Sequence, residues 1–143
     1  MAYSFEQHKM VGAIGADDGY WRGLEDGVFQ LQQCTRCKGW SWPAHYRCGQ
    51  CGSWELQWVP IDPDGQIFTY TRTRYAFDRV IERKDQVPYI TIVAELPQAD
   101  GARVMGVLKG SEDGLRIGAA VRGSIDPPSA LTKHYPALRW EIA

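Results

Sequence analysis

Residues 34–51 read CTRCKGWSWPAHYRCGQC, which contains two cysteine pairs of the form C-x2-C separated by ten residues. Two residues between the cysteines of a pair allow one tight turn to direct both sulfurs at the same ion. Backbone N–H groups in that turn then offset the thiolate charge. The stretch therefore predicts a metal site whose ligands are Cys34, Cys37, Cys48 and Cys51.

The ligand set also predicts what the metal does. Four thiolates complete a tetrahedron around zinc and leave no position for a water molecule, so the ion cannot activate a nucleophile. Iron in the same geometry is an alternative, as are free or disulfide-linked thiols. Gly39 and Gly52 follow the two pairs, and we expect them to supply the positive φ that such turns require. The prediction is one structural zinc ion.

Composition limits the class of protein. The chain has 143 residues, of which 44% are apolar and 23% charged, as in an ordinary globular protein with a core. With 17 acidic and 16 basic residues it lacks the basic surplus of a typical nucleic-acid binder. It also lacks the run of about 18 apolar residues that a membrane span needs. The start, MAYSFEQHKM, has no signal pattern, so we expect a cytoplasmic protein with reduced thiols.

The N-terminal segment carries two helix signals. Residues 4–7 (SFEQ) resemble a capping box, which predicts a short helix running toward Gly12. Asp17 is placed as the N-cap of a second helix, and Gly27 as its stop. We expect residues 1–27 to form a helical arm.

The remainder of the chain shows strand patterns with turns between them. Asp62-Pro63-Asp64-Gly65 is a strong turn signal after the cysteine module. Strands are predicted at Val28 to Gln33, Trp54 to Val59, Gln66 to Phe77, Tyr89 to Leu96, Arg103 to Lys109, Ala119 to Ile125 and Pro136 to Ile142.

These elements predict a mainly β protein. Residues 28–60 are expected to form a four-cysteine zinc ribbon, and residues 61–143 a five-stranded antiparallel OB-fold barrel. An opened sandwich is the alternative for the second region.

Two sets of side chains are candidate binding surfaces. Tryptophans crowd around the cysteines, as a shared internal core or as a partner interface: Trp40, Trp42, Trp54 and Trp58. Phe68, Tyr70, Arg72 and Arg74 are expected to share one strand face, followed by basic residues in the loop after them. Guanidinium groups pair with phosphate and aromatic rings stack on bases, which suits coenzyme A as well as nucleic acid. A merely solvated barrel face is the alternative.

No catalytic set can be assembled from the sequence. His8, His45 and His134 lie far apart and in no nucleophile or metalloprotease motif. There is also no nucleotide-binding glycine motif.

The order of parts resembles a known family. Residues 20–24 (YWRGL), the cysteine ribbon, residues 65–71 (GQIFTYT), 88–96 (PYITIVAEL) and 115–118 (LRIG) carry the resemblance. They are similar to acyl-CoA-associated OB-fold proteins with an N-terminal rubredoxin-like zinc ribbon, the family of domain of unknown function thirty-five.

The resemblance implies an accessory subunit of thiolase-like enzymes, which include thiolases, acyltransferases and aldolases that shorten steroid side chains on coenzyme A. The catalytic residues then belong to the partner, and this chain has no turnover alone. The metal ligands carry over onto the four cysteines without a departure. We expect a hetero-oligomer in which the ribbon and arm dock on the partner through Tyr20, Trp21, Trp40 and Trp42. The two subunits are expected to share an acyl-CoA thioester. A single-stranded nucleic-acid binder and a rubredoxin-like electron carrier are the alternatives.

Overall fold

The structure is a computed structural model that describes residues 5–8 and 15–143. Its α-helices are α1 (Phe5–His8) and α2 (Asp18–Glu25). Its strands are β1 (Gln30–Cys34), β2 (Trp40–Ser41), β3 (Leu56–Pro60), β4 (Asp64–Thr73), β5 (Tyr89–Leu96), β6 (Ala102–Leu108), β7 (Ala120–Asp126) and β8 (Ala137–Ile142). Short 3-10 helices lie at Asp78–Arg83, Pro97–Ala99 and Ala130–Thr132. In these described ranges, no helix has the length and apolar character needed to cross a membrane.

Helix α2 begins and ends as the sequence predicts. Asp17 is the N-cap residue, although its carboxylate accepts a hydrogen bond from the Trp21 indole at 3.0 Å rather than from a helix N–H. Gly27, at φ +72°, follows the last turn. A Cβ on Gly19 would lie 2.1 Å from the Trp58 ring, so only glycine lets α2 pack this closely on the ribbon.

Helix α1 is fastened to α2. The Phe5 N–H donates to the Glu25 carboxylate at 3.1 Å, and Glu6 forms an ion pair with Arg22. The Ser4 end of the predicted capping box and the predicted continuation to Gly12 lie outside the described residues.

The ribbon is a three-stranded antiparallel sheet in the order β2-β1-β3. Strand β1 runs from Gln30 to Cys34, so the predicted strand starts two residues too early. The predicted second strand also starts too early, because Trp54 and Glu55 still belong to the turn after the last cysteine: the Glu55 carbonyl accepts from the Thr35 N–H at 2.9 Å.

The five later strands close into a barrel in the order β4-β5-β6-β8-β7, with β7 pairing back onto β4. The closed ring confirms the barrel and excludes the opened sandwich. The expectation of a wholly antiparallel barrel was wrong at one place, since β8 pairs in parallel with β6. The Arg139 guanidinium secures that pair by donating to the Val107 and Leu108 carbonyls.

Predicted strand bounds agree for β5 and differ by a residue or so for β6, β7 and β8. Strand β4 differs more. Asp64 and Gly65, expected in a turn, pair with Arg122 and Val121 of β7 and so begin the strand. Residues 74–77, expected inside it, have no strand opposite, because β5 begins at Tyr89 opposite Thr73.

One hydrophobic core runs through the ribbon and the barrel. Buried side chains of α2 and β1, among them Leu24 and Leu31, belong to the same cluster as Ile92 and Trp140 of the barrel. The Trp140 ring is fully buried, and its indole N–H donates to the Val104 carbonyl at 3.3 Å. The proposed division at residues 27/28 and 60/61 stays a prediction.

Gly106 of β6 allows β6 to lie close to β8, and we predict that Gly106→Ala destabilises the barrel. Its Cβ would lie 2.8 Å from both the Leu138 carbonyl oxygen and the Trp140 ring. We expect the free energy of unfolding in urea to fall by about 1–3 kcal/mol. Met105→Ala, at an exposed neighbouring position, is the control and should change it little. Equal unfolding midpoints for the two variants would contradict the claim that the barrel requires glycine at position 106.

Candidate metal centre and surrounding surfaces

The four predicted cysteine ligands lie together at the tip of the ribbon. Their sulfur atoms are all within 4.8 Å of one another, and the Cys34–Cys51 and Cys37–Cys48 pairs are separated by 3.7 and 3.6 Å. Tetrahedral zinc with Zn–S bonds of about 2.3 Å holds its sulfurs about 3.8 Å apart. The cluster therefore has the spacing and donor type that zinc requires, and all four cysteines are free of disulfides.

The two cysteine turns have the same backbone geometry. In the first, the Lys38 N–H donates to the Cys34 carbonyl at 3.0 Å, and the Cys34 N–H donates to the Gly39 carbonyl at 2.9 Å. In the second, Gly52, Cys48 and Ser53 make the equivalent bonds at 3.0 and 2.8 Å. The first cysteine of each turn is buried and the second is exposed. Two like turns thus present one buried and one exposed sulfur each.

The positive φ in the first turn was assigned to the wrong residue. Lys38 adopts φ 64°, at the position that Gly52 occupies with φ 75° in the second turn. Gly39 is needed for a different reason. A Cβ there would lie 2.6 Å from the Gln50 side chain, so the glycine allows the two turns to pack against each other.

Backbone N–H groups stabilise the charge of the buried sulfurs. Hydrogen bonds from the Cys37 N–H and then the Arg36 N–H hold the pKa of the Cys34 thiol at about 6, against the effect of burial. The Cys51 and Gln50 N–H groups likewise lower the pKa of Cys48. At Cys37 the Gly39 N–H lowers the pKa, but desolvation and the neighbouring cysteines outweigh it and raise the pKa to about 11. Without a cation, four thiolates at this spacing repel one another, so protons remain on part of the cluster.

A glutamine that the sequence analysis missed fixes the loop between the turns. Gln32 of β1 is buried, and its side-chain amide donates to the His45 carbonyl at 2.6 Å and accepts from the His45 N–H at 2.9 Å. In the strand pattern it occupied an outward polar position, and only the fold of the loop shows its partner. The His45 side chain is exposed.

The ribbon is also tied to the barrel by a polar contact. The Asp100 carboxylate, beyond β5, accepts from the Trp40 N–H at the start of β2 at 3.1 Å. Asp100 adopts a left-handed backbone conformation, with φ 54°, at the end of the 3-10 helix Pro97–Ala99. This contact fixes β2, which forms one side of the metal loop, to the barrel.

The candidate partner residues on the arm and ribbon pack together. Tyr20 is buried, and its ring lies 4.5 Å from the Trp42 ring and 5.3 Å from the Trp21 ring, centroid to centroid. Trp21, Trp40 and Trp42 are half-buried against the core. Tyr20 is thus more deeply buried than the other three candidates. Trp54, by contrast, is 70% exposed on the ribbon.

The four candidates for acyl-CoA contact do not share one face. A bulge between Ile67 and Thr69 shifts the register, and it leaves Phe68 exposed beneath the Arg103 guanidinium at 3.6 Å. Tyr70 pairs with buried Ile92 and so faces inward.

The two arginines of that set differ from each other. Arg72 makes a two-pronged ion pair with Glu112, with N–O distances of 2.8 and 2.7 Å, and this pair lowers the pKa of Glu112 and raises that of Arg72. Arg74 lies past the end of β4 and is exposed. Tyr70 and Arg72 therefore lie on one face of β4. Arg74 follows the end of the strand, and Phe68 lies at the bulge, outside that face.

Comparison with known proteins finds a family model similar to part of the chain. Residues 58–126 match the family model described as ChsH2, C-terminal OB-fold domain. A "Probable enoyl-CoA hydratase alpha subunit" of Thermomonospora curvata is 27% identical over 111 residues, which cover 76% of this chain. The chain spans only 33% of the length of that curated relative.

Two solved structures share the fold at 20% sequence identity. The "Ltp2-ChsH2(DUF35) aldolase" structure superposes with a TM-score of 0.74 over 93% of this chain and 98% of the matched chain. A DUF35-family protein of unknown function from Sulfolobus solfataricus gives a TM-score of 0.59 over 96% and 91% of the two chains. The similarity to both includes the ribbon as well as the barrel.

We predict that the purified chain holds one zinc ion and that Cys48→Ser loses it. The four-sulfur set supplies every ligand, so replacing a buried one leaves the site incomplete. Binding energies of about 10–16 kcal/mol for such sites mean that the ribbon should unfold without metal. Elemental analysis and tryptophan fluorescence measure the two effects. His45→Ala is the control and should retain zinc. A red, iron-containing protein would favour the electron-carrier alternative.

A second prediction concerns Gln32. Gln32→Ala removes both bonds to the His45 backbone and should lower the stability of the ribbon by about 1–3 kcal/mol. Zinc should then pass faster to a chelating dye. Gln57→Ala, a matched change at an exposed position of β3, should leave the transfer rate near that of the unchanged chain. Equal rates for the two variants would show that the loop does not depend on Gln32.

Proposed function

We propose that this chain, whose residues 58–126 match the model of the ChsH2 C-terminal OB-fold domain, is a non-catalytic accessory subunit that docks on a thiolase-like enzyme and helps to form its acyl-CoA channel. The observation that carries the proposal is the match of arm, ribbon and barrel together, over 93% of this chain, to a chain of the Ltp2-ChsH2(DUF35) aldolase. The name of that structure joins ChsH2(DUF35) to Ltp2 as an aldolase.

The metal centre favours a structural role for this chain rather than a catalytic one. Zinc would be held by Cys34, Cys37, Cys48 and Cys51, and a four-thiolate site supplies structural stability when the ion is bound. His45 and His134, two of the three histidines, lie exposed on loops in the described part of the chain. The reacting groups would therefore come from the partner.

Coenzyme A chemistry is supported by the curated relative. The name of that relative describes an enoyl-CoA hydratase subunit, and this chain matches a third of its length. We propose that Tyr70 and Arg72, in the second half of β4, and Arg74, just after it, contribute to the shared acyl-CoA channel. Arg72 would have to exchange its carboxylate partner, Glu112, for a phosphate. Phe68, on the other side of the bulge, is the weakest member of the set.

The docking surface of the proposal is the helical arm with the ribbon. Half-buried Trp21, Trp40 and Trp42 present large rings at that surface, and such residues dominate interface energetics. Tyr20 would act beneath them, because its buried ring holds Trp21 and Trp42 in place.

We predict that this chain co-elutes with a thiolase-like protein when the two are co-expressed. Each chain run alone on the same size-exclusion column is the control. Acyl-CoA thioesters should be turned over by the complex and not by this chain alone. A chain that stays monomeric and leaves the activity of the thiolase-like protein unchanged would refute the proposal.

A further inference from the structure

The segment between β4 and β5, residues 74–88, exposes an unusual amount of apolar surface. Tyr75, Phe77 and Ile81 are 66%, 67% and 46% exposed. The Tyr75 and Phe77 rings pack edge to face, with centroids 5.2 Å apart. The 3-10 helix Asp78–Arg83 within the segment buries none of its side chains. Three large apolar side chains within seven residues form a patch that water solvates poorly.

Charges around the patch select the class of partner. Residues 74–85 contain four basic and three acidic residues, interspersed along the segment. A phosphate-rich surface, whether nucleic acid or anionic lipid, would be repelled by the three carboxylates as well as attracted by the cations. Aromatic rings and arginines with mixed charge at the rim are typical of protein interfaces.

The position of the segment identifies which protein surface it would meet. The 3-10 helix Asp78–Arg83 packs against the 3-10 helix Ala130–Thr132 in the loop between β7 and β8. Further along that loop, the Tyr135 ring packs against the Trp21 ring of α2, with centroids 5.6 Å apart. The β4–β5 segment and helix α2 thus both contact the loop between β7 and β8.

We infer that the β4–β5 segment is a second anchor for the thiolase-like partner, with Tyr75, Phe77 and Ile81 entering an apolar depression on that subunit. Arg79, exposed two residues after Phe77, can pair with a carboxylate of the partner. The inference rests on the proposed function and adds to it a contact that neither the arm nor the ribbon provides.

The test compares two double variants in the co-expressed complex. Tyr75→Ala with Phe77→Ala removes the edge-to-face pair. Met105→Ala with Ile117→Ala is the matched control, because these side chains are 63% and 68% exposed elsewhere on the barrel. We expect the first double variant to weaken affinity for the thiolase-like subunit at least about tenfold, and the control to change it less than about twofold. Thermal unfolding of both free variants should match that of the unchanged chain, because all four side chains are exposed.

Each remaining outcome overturns the inference in a recognisable way. If the unchanged chain and both variants bind the partner equally, the segment is not an anchor, and the proposed function stands. If the two variants weaken binding equally, the effect is not specific to the segment. If the unchanged chain does not bind a thiolase-like protein, the proposed function and the inference both fail. If the chain retards single-stranded RNA in a gel and the retardation is lost in the Tyr75→Ala, Phe77→Ala variant, the segment binds nucleic acid instead.

Discussion

Four sulfur atoms within 4.8 Å of one another impose the strictest constraint on this molecule. As thiolates they repel strongly, and only a shared cation or retained protons can keep them at that distance. The backbone is arranged for the cation. Each buried sulfur accepts hydrogen bonds from two N–H groups of its own turn, so part of the negative charge is stabilised before a metal arrives. The turns, the loop between them and the short strand β2 all take their shape from this requirement.

The barrel depends indirectly on the same packing of the four sulfurs, through its contacts with the ribbon. Side chains of the ribbon strand β1 and of α2 continue into the barrel core, and Asp100 holds the start of β2 from the barrel side. A ribbon without its cross-link would therefore withdraw Leu31 and its neighbours from a cluster that includes Trp140. Stability of the two parts is coupled through apolar burial rather than through the metal itself.

Much of this architecture could be predicted from local patterns. The cysteine spacing predicted the four-sulfur cluster, and runs of β-branched and aromatic residues between turn signals predicted every strand of the barrel, because both signals depend on residues close in the sequence. What the sequence concealed depends on contacts between distant residues. The bulge at Phe68 reverses which side chains face inward, and no local signal marks it. Gln32 and Arg72 looked like outward polar groups, yet their partners are a loop backbone and Glu112, forty residues away in the case of Arg72. Lys38 adopts a conformation usually reserved for glycine, because the closed turn requires it there.

The insertion of β8 between β6 and β7 has a consequence for biosynthesis. Strand β8 closes the barrel, because it pairs with β6 on one side and with β7 on the other. While the ribosome is still making the chain, the edges of β6 and β7 stay open until residues 137–142 emerge, whereas the cysteine turns are complete some ninety residues earlier, by Ser53. A nascent chain would thus have all four cysteines available long before its barrel can close, and the unpaired strand edges make that interval the period of greatest exposure to chaperones and to aggregation.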